Sequence, residues 1–230
     1  MLPRRIFIGH DTREQRAYDV CVGSMRAHSS VPLDINPVSS LTLPVGMYTR
    51  PQETRDGVMW DVVSDAPMST QFSIARFYIP CLVDAGWVLF CDCDFLWRGN
   101  VEELFRLRDD KFAVMVVQHH YVPQETVKMD GQIQTAYPRK NWSSLMLLNC
   151  SAPEVRALVP DVLNETTGRC LHGFGWVEDY RIGAIPHEWN WLEGTQAQAV
   201  HYTRGTPDMA GYEGAAYHEE WWKYVHRDAV

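Results

Sequence analysis

Two aspartates that directly follow an apolar run are the residues of this sequence best suited to chemistry. Gly86 is followed by five apolar residues, 87–91, which predict a strand buried on both faces. Because side chains alternate along a strand, Asp92 and Asp94 are expected to point to one side and Cys93 to the other. Paired carboxylates at the carboxyl end of a central strand lie where open α/β sheets bind ligands. They repel each other unless a cation lies between them, and a hard divalent ion, Mn²⁺ or Mg²⁺, suits carboxylates that also hold a phosphate-bearing substrate.

Two other interpretations of this stretch stay open. One aspartate could cap the following helix while the other is solvated at the end of the strand. Cys91 and Cys93 could also form a zinc site with His119 and His120, although their spacing matches no standard zinc pattern. A pair of aspartates is too short a motif to decide between these interpretations, so the surrounding elements have to be considered.

The composition bounds the class of protein. The chain has 230 residues, of which 46% are hydrophobic and 22% charged, and this favours one large α/β domain over two. The net charge of −8 argues against a broad nucleic-acid interface. No stretch approaches the length of a membrane-spanning helix. The nine tryptophans suit either a site that stacks on sugar rings or a core rich in aromatic side chains.

Cysteine usage and the amino terminus indicate the compartment. The six cysteines include no Cys-x-x-Cys pair, and several lie in apolar runs, which is typical of reduced thiols. The first five residues lead straight into a predicted strand, so we expect no signal peptide. Together these features predict a cytoplasmic protein.

The order of predicted elements indicates an α/β fold. A strand at 5–9, a helix from about 13 to 27 and a strand at 31–38 predict a β-α-β unit with a parallel sheet. Residues 39–68 lack periodicity and are predicted to form a long loop. Residues 69–85 are predicted to form a helix that Pro80 kinks or breaks. Further predicted elements are helices at 101–107, 152–164 and about 212–227, strands at 111–118 and 145–148, and a second long loop at 119–140.

Residues 68–105 resemble the core of the GT-A glycosyltransferases, especially family 8, the group of glycogenin and the lipopolysaccharide galactosyltransferases. The matching residues are Ser69-Thr70-x-Phe72, Arg76-Phe77, Pro80-x-Leu82, Trp87-Val88-Leu89-Phe90, Asp92-Cys93-Asp94, Leu96, Gly99 and Glu103-Leu104-Phe105. The resemblance implies a single GT-A-like domain over residues 1–230. Its central sheet would be mixed, mostly parallel and flanked by helices.

The resemblance also implies a metal site. In the family a His-Tyr pair at a strand end supplies a third metal ligand, and His201-Tyr202 matches it. Asp92, Asp94 and His201 would then hold Mn²⁺ or Mg²⁺. An arginine at the place of Arg76 reaches the acids and the donor in the family, whereas by itself it could be a surface residue of an amphipathic helix.

Further positions match the donor-binding residues of the family. The turn after the first strand holds the nucleotide base and ribose there, which points to His10 and Asp11, although Asp11 could equally cap the helix. Ser143 and Ser144 match residues beside the donor sugar, but the family has Gly where this chain has Ser144. The donor set also includes Arg76, Asp92 and Cys93 from the matched core, and Arg204 and Gly205, which would hold the diphosphate.

The acidic residues expected near the anomeric carbon are Glu178 and Asp179. They precede a Pro-x-x-Trp-Asn segment, 186–190, which resembles the corresponding strand of the family. The alternative is two surface acids on a helix. With Arg76 they form the predicted catalytic set.

The implied function is transfer of a sugar from a nucleotide diphosphate sugar, most simply a UDP-sugar, to an acceptor hydroxyl with retention of anomeric configuration. A saccharide or glycolipid is the default acceptor, and a modified DNA base is disfavoured by the negative charge. One alternative is a nucleotide-sugar-binding protein without transfer activity. Another is a metal-dependent nucleotidyltransferase or phosphohydrolase, which would need further carboxylates near the aspartate pair, and the sequence shows none nearby.

Overall fold

The computed structural model describes residues 3–119, 139–192 and 197–225. In these residues the strands, numbered along the chain, are β1 (Arg4–Gly9), β2 (Leu33–Val38), β3 (Gln52–Arg55), β4 (Val58–Asp61), β5 (Ala66–Pro67), β6 (Trp87–Cys91), β7 (Phe95–Trp97), β8 (Val114–Val116), β9 (Leu145–Asn149), β10 (Ile182–Ala184) and β11 (Ala199–His201). The α-helices are α1 (Gln15–His28), α2 (Val101–Arg106), α3 (Pro153–Arg156), α4 (Pro160–Glu165), α5 (Gly168–His172) and α6 (His218–Val225).

A six-stranded sheet in the order β10-β8-β9-β6-β1-β2 forms the centre of the molecule. β1 pairs in parallel with β2 and β6, and β10 pairs in parallel with β8. β9 runs antiparallel to both β6 and β8. β6 and β9 consist almost entirely of buried residues, so both faces of the sheet are covered at these two strands. The predicted mixed, mostly parallel α/β architecture is therefore confirmed.

The opening β-α-β unit follows its sequence pattern. Asp11 caps a short 3-10 turn, Thr12–Glu14, and α1 continues from it. The buried face of α1 carries apolar or small residues at helical spacing: Ala17, Val20, Cys21, Ser24 and Met25. The chain then returns through β2, which lies parallel to β1 as predicted.

The predicted loop at 39–68 is partly wrong, because β3, β4 and β5 form a separate three-stranded antiparallel sheet there. All four residues of β3 are exposed, so this strand lacks the alternation that sequence analysis depends on. The sheet is tied to the body by Arg50, whose guanidinium pairs with Asp61 and donates to the backbone oxygens of Leu163 and Thr166. Both side chains of the Arg50–Asp61 pair are within 1% of complete burial.

The predicted helix at 69–85 is also wrong. Only Ala75–Leu82 is helical, and it is a 3-10 helix that contains Pro80. Pro80 has no amide hydrogen to donate, and its ring disfavours a continuous α-helix. The same effect divides the predicted helix at 152–164, where Val159 is extended (φ −93°, ψ 160°) before Pro160 and separates α3 from α4.

The ends of other predicted elements differ from expectation. β8 covers Val114–Val116 rather than 111–118, and α6 begins at His218 rather than at 212. α6 packs on α1, with Tyr224 OH 3.1 Å from His28 Nε2. Most of the predicted loop at 119–140, including His120, and the predicted helix end at 226–227 lie outside the described residues. The extent of the domain over 1–230 stays a prediction.

All six cysteines are free. Within the ranges that the structure describes, no helix is both long and apolar enough to cross a membrane.

Candidate metal centre

The structure brings Asp92, Asp94 and His201 together. One ligand atom of each residue lies within 4.8 Å of those of the other two. β7 and β11 produce this meeting, because they pair antiparallel with His201 opposite Phe95. The Tyr202 amide also donates to the Asp94 backbone oxygen at 3.0 Å. This bond holds the residues after β11 beside the turn after β6. His201 Nε2 consequently lies 3.2 Å from Asp94 Oδ1.

Arg76 is held beside Asp92 by its other contacts. Its side chain is 6% exposed, and Nη1 lies 2.7 Å from Asp92 Oδ1. Nη1 also donates to the Ser143 backbone oxygen at 2.9 Å, and Nε donates to that of Ser73 at 3.1 Å. Sequence analysis expected Arg76 to reach the acids, and the structure places it there. Its role with a donor stays a prediction.

The geometry of the three residues fits a cation. Asp94 Oδ1 is shielded from solvent and accepts no hydrogen bond in the described structure. Asp92 Oδ1 likewise accepts none and has only its ionic contact with Arg76. Arg76 Nη1 at 2.7 Å from Asp92 Oδ1 and His201 Nε2 at 3.2 Å from Asp94 Oδ1 leave lone pairs on both shielded oxygens, which a proton or a metal ion can take. Two carboxylates and an imidazole form a donor set that Mn²⁺ and Mg²⁺ accept.

Charge crowding changes the acidity of Asp92. Burial raises the pKa of this carboxyl group to about 6, with Arg76 opposing the shift and Asp94 adding to it. Asp92 is therefore mostly ionised at neutral pH in spite of its burial. A cation at this site would compete with a proton at slightly acidic pH.

The imidazole of His201 is fixed on two sides. It stacks on the Phe95 ring with 4.5 Å between centroids and 13° between planes. On the other side, His201 Nδ1 lies 2.9 Å from Asn190 Oδ1. Asn190 was not among the predicted site residues, although it stands in the Pro-x-x-Trp-Asn segment, and that match was the signal that could have identified it.

Glu14 is a third carboxylate at the site that sequence analysis missed. Its Oε2 accepts a hydrogen bond from Cys93 Sγ at 3.1 Å. Burial raises the pKa of Glu14 to about 7, and the negative charge of Asp94 adds to the shift. Among the described residues, the group whose ligand atoms meet is nevertheless Asp92, Asp94 and His201, without Glu14. Glu14 stands in the first turn of a helix, where an acid is common for capping reasons alone, so no sequence signal distinguished it.

Asp11 and His10 follow β1, at the same edge of the sheet. Asp11 is fully buried, and it accepts hydrogen bonds from the Arg13 side chain and from the Gln71 amide at 2.9 Å. Burial by itself would raise the pKa of Asp11, but these hydrogen bonds bring it below its usual value. His10 Nε2 lies 2.9 Å from Gln15 Oε1. The capping role of Asp11 is thus observed, and nucleotide contacts by either residue stay a prediction.

Ser143 and Ser144 are buried at the start of β9. Ser143 Oγ lies 2.7 Å from His172 Nδ1, and the Asp92 amide donates to the Ser144 backbone oxygen at 2.9 Å. Both serines therefore lie beside the three-residue group. Burial and the charge of Arg76 lower the pKa of His172 to about 3.

Acid should destabilise the protein through His172. Its folded-state pKa of about 3 lies below the ordinary value of 6.5, so the unfolded chain binds the proton first. The stability that neutral His172 contributes is therefore complete above about pH 6.5 and is lost as the pH falls towards 3, by about 1.4 kcal/mol per unit. Urea unfolding of the wild type and of His172→Gln at several pH values measures this. The free energy of unfolding of His172→Gln should fall less steeply with decreasing pH than that of the wild type, by a slope equivalent to nearly one proton. Equal slopes would contradict the lowered pKa of His172.

The predicted acids Glu178 and Asp179 lie elsewhere. Both are exposed, just before β10 at the edge of the central sheet. Asp179 pairs with Arg139, which also donates to the Gly173 backbone oxygen at 3.0 Å. In the part of the chain that the structure describes, no hydrogen bond or ion pair joins either acid to the three-residue group. The surface interpretation describes their present position, and a catalytic role stays a prediction.

Arg204 and Gly205 follow β11 directly. Arg204 is exposed. A Cβ on Gly205 would lie 2.7 Å from the Tyr212 ring, so packing alone requires glycine at this position. Their contact with a diphosphate stays a prediction. The zinc alternative is not supported, because Cys93 faces Glu14 and Cys91 Sγ lies 3.9 Å from Cys21 Sγ in the core.

Comparisons with known proteins agree with this fold. No known family profile matches the chain. Among solved structures, the glycosyltransferase GlyE of Streptococcus pneumoniae TIGR4 superposes with a TM-score of 0.61 at 14% identity, over 98% of this chain and 61% of GlyE. The galactosyltransferase LgtC, in complex with donor and acceptor sugar analogues, superposes with a TM-score of 0.58 at 13% identity, over 96% of this chain and 95% of LgtC. The chain thus spans about three fifths of GlyE but nearly all of LgtC.

These likenesses show the GT-A glycosyltransferase fold. Membership of family 8 stays a prediction, since the identities are too low to establish it. A sequence relative defines the family more narrowly. Protein CDI of Arabidopsis thaliana is 45% identical over 231 aligned residues, which cover 95% of this chain and 85% of the relative. The chain therefore belongs to the family of Protein CDI.

Proposed function

We propose that the protein is a metal-dependent glycosyltransferase that moves a sugar from a UDP-sugar to an acceptor hydroxyl with retention. One observation carries the proposal: Asp92, Asp94 and His201 converge at the carboxyl end of a central strand in a GT-A fold. The residue that sequence analysis placed beside them, Arg76, is in contact with Asp92. Sugar transfer by the solved relatives in this fold supports the reaction class.

The chemistry requires positive charge where the donor breaks. Cleavage of the bond between the sugar and the diphosphate leaves negative charge on the diphosphate and builds oxocarbenium character on the sugar. A Mn²⁺ or Mg²⁺ ion held by Asp92, Asp94 and His201 would supply charge to the leaving group. Arg76 adds a fixed cation beside this position. Because backbone oxygens already orient its guanidinium, no reorganisation is needed when charge develops.

The remaining predicted residues are assigned by the part of the donor that each would contact. His10, Asp11 and Cys93 would face the nucleoside, and Arg204 and Gly205 the diphosphate. Ser143 and Ser144 would lie beside the donor sugar, consistent with their position next to Asp92. We propose Asp179, rather than Glu178, as the acid near the anomeric carbon, because it aligns better with the family. It would have to exchange its contact with Arg139 for one with the donor.

The acceptor class follows from general features only. A saccharide or glycolipid hydroxyl is proposed, and the net charge of −8 disfavours a DNA acceptor.

The six free thiols support a reducing compartment, so a cytoplasmic location belongs to this proposal.

A second candidate function is supported by Glu14. Nucleotidyltransferases and phosphohydrolases gather several carboxylates around their metal ions, and Glu14 contacts Cys93, the residue between the two aspartates. These enzymes break a bond between phosphates, whereas a glycosyltransferase breaks the bond between sugar and phosphate. The products therefore distinguish the two classes. A third possibility, binding without turnover, would give no product.

The test is donor cleavage followed by phosphorus NMR. The protein is incubated with Mn²⁺ and, in turn, UDP-glucose, UDP-galactose and GDP-mannose, first without an acceptor and then with simple saccharides. We expect UDP and free or transferred sugar. UMP with a sugar phosphate would show the second function, and a bound but intact donor would show the third. Proton NMR at early times should show an α-anomer from a UDP-α-sugar, and a β-linked product would overturn retention.

A further inference from the structure

A chain of hydrogen bonds runs from a peptide group to the His201 ring. Ser144 Oγ donates to the Asn141 backbone oxygen at 2.6 Å. Asn190 Nδ2 donates to Ser144 Oγ at 2.9 Å, and Asn190 Oδ1 lies 2.9 Å from His201 Nδ1. Asn190 is fully buried and His201 is 4% exposed, so water does not offer alternative partners for Asn190.

The first member of this chain sets the direction of all the others. A peptide oxygen can only accept, so the Ser144 hydroxyl must donate its one hydrogen to the Asn141 backbone oxygen. Ser144 Oγ is then an acceptor, and the Asn190 group that faces it must be the NH₂. The Asn190 oxygen therefore faces His201, and His201 Nδ1 must carry a hydrogen to meet it. Neutral His201 is left with an unshared electron pair on Nε2, the atom 3.2 Å from Asp94 Oδ1.

We infer that Asn190 is a positioning residue that fixes the tautomer of His201 and thereby prepares Nε2 to bind a metal ion. The inference rests on the proposed metal site, and it adds a residue and a physical role to it. Without Asn190, a neutral His201 would favour a hydrogen on Nε2, because Asp94 Oδ1 is a buried acceptor with no hydrogen bond of its own. That tautomer cannot bind a metal through Nε2.

The reverse orientation of Asn190 is excluded by the same contacts. Turning the amide by half a rotation would set its oxygen against Ser144 Oγ, whose hydrogen already lies on Asn141. Its NH₂ would face His201 Nδ1 and would force the hydrogen onto Nε2. Asn190 Nδ2 also lies 3.5 Å from the Asn141 backbone oxygen, a second acceptor that favours the observed orientation.

The first test measures the tautomer without metal or donor. Nitrogen NMR of the metal-free protein at about pH 8, where an ordinary imidazole is neutral, distinguishes the two forms of each histidine ring. The His201 signal is assigned by its loss in His201→Gln. We expect hydrogen on Nδ1 in the wild type. Hydrogen on Nε2 would overturn the inference, and this readout needs no activity.

The second test uses paired variants of Asn190. Asn190→Leu removes the acceptor, whereas Asn190→Asp keeps an oxygen for His201 Nδ1 at nearly the same size. In Asn190→Leu we expect hydrogen on Nε2 and Mn²⁺ affinity, measured by calorimetry, lower by about 10- to 100-fold. Asn190→Asp should keep hydrogen on His201 Nδ1, because the carboxylate accepts it, although the bond donated to Ser144 Oγ is lost; it should therefore bind Mn²⁺ more tightly than Asn190→Leu. Unchanged tautomer and affinity in Asn190→Leu would refute the role.

Ser144→Ala provides a further arm if Asn190→Leu does not fold. It leaves the Asn190–His201 contact in place and removes the nearer of the two acceptors that orient the amide, the other being the Asn141 backbone oxygen. A population of the Nε2–H tautomer is expected beside the Nδ1–H form, and its complete absence would remove Ser144 from the directional chain. The outcomes stay separate from those of the proposed function: a protein that cleaves no nucleotide sugar can still show the predicted tautomer and Mn²⁺ binding, and an active enzyme can lack them.

Discussion

Asp94→Asn is expected to abolish metal-dependent donor cleavage while leaving the fold intact. The amide keeps the size of the side chain but removes the charge from one of the three candidate ligands. Removing groups outside a ligand shell already costs about 10- to 100-fold in metal affinity, so loss of a ligand should cost more than about 100-fold. Mn²⁺ calorimetry and the phosphorus NMR assay measure the two effects.

The stability of this variant distinguishes a binding defect from misfolding. The charge of Asp94 raises the pKa of both Asp92 and Glu14, which means that it repels them in the metal-free protein. Asp94→Asn should therefore unfold at the same temperature as the metal-free wild type or at a higher one. Asp109→Asn, at a half-buried acid paired with Lys111, is the matched control and should behave as the wild type. Full activity in Asp94→Asn would remove Asp94 from the metal site.

Arg76→Met is expected to lose both activity and stability. The substitution leaves Asp92, whose side chain is 16% exposed, without its ionic partner. Breaking a buried pair from one side costs about 3–5 kcal/mol, and loss of a preorganised charge beside the leaving group costs about 10²- to 10³-fold in turnover. Urea unfolding and initial rates at saturating Mn²⁺ measure these effects.

A double variant separates the two losses. Arg76→Met/Asp92→Asn no longer contains the unpaired carboxylate, so it should regain most of the stability and none of the turnover. The cost of Arg76→Met should also shrink as the pH falls towards about 6, the pKa of Asp92 beside Arg76, because without the cation this carboxyl takes up its proton at a higher pH. The expected stability recovery would be absent if Arg76 stabilised the fold only through its bonds to backbone oxygens.

The sequence by itself determined the centre of this protein. A five-residue apolar run specifies a strand buried on both faces, and the acids that follow it must lie at the edge of the sheet. The β-α-β unit was equally clear, since a helix period lies between two strand patterns. Neither prediction needs a partner from elsewhere in the chain.

The residues that sequence analysis missed or misplaced depend on distant contacts. Glu14 meets Cys93 across 79 positions, and Asn190 meets Ser144 across 46. An acid in the first turn of a helix and an asparagine after a tryptophan are locally ordinary, so no local pattern marks them as site residues.

An exposed strand and two prolines account for the remaining differences between the predicted and the observed elements. β3 is exposed along its whole length, so its pairing leaves no periodicity to detect. Pro80 and Pro160 can be read from the sequence, but whether a proline kinks a helix or interrupts it depends on the packing around it. The partners of each ionisable side chain were decided only by tertiary structure, because they depend on which strands meet. His201 reaches the aspartates because β7 and β11 pair antiparallel, with Trp97 opposite Ala199 and Phe95 opposite His201.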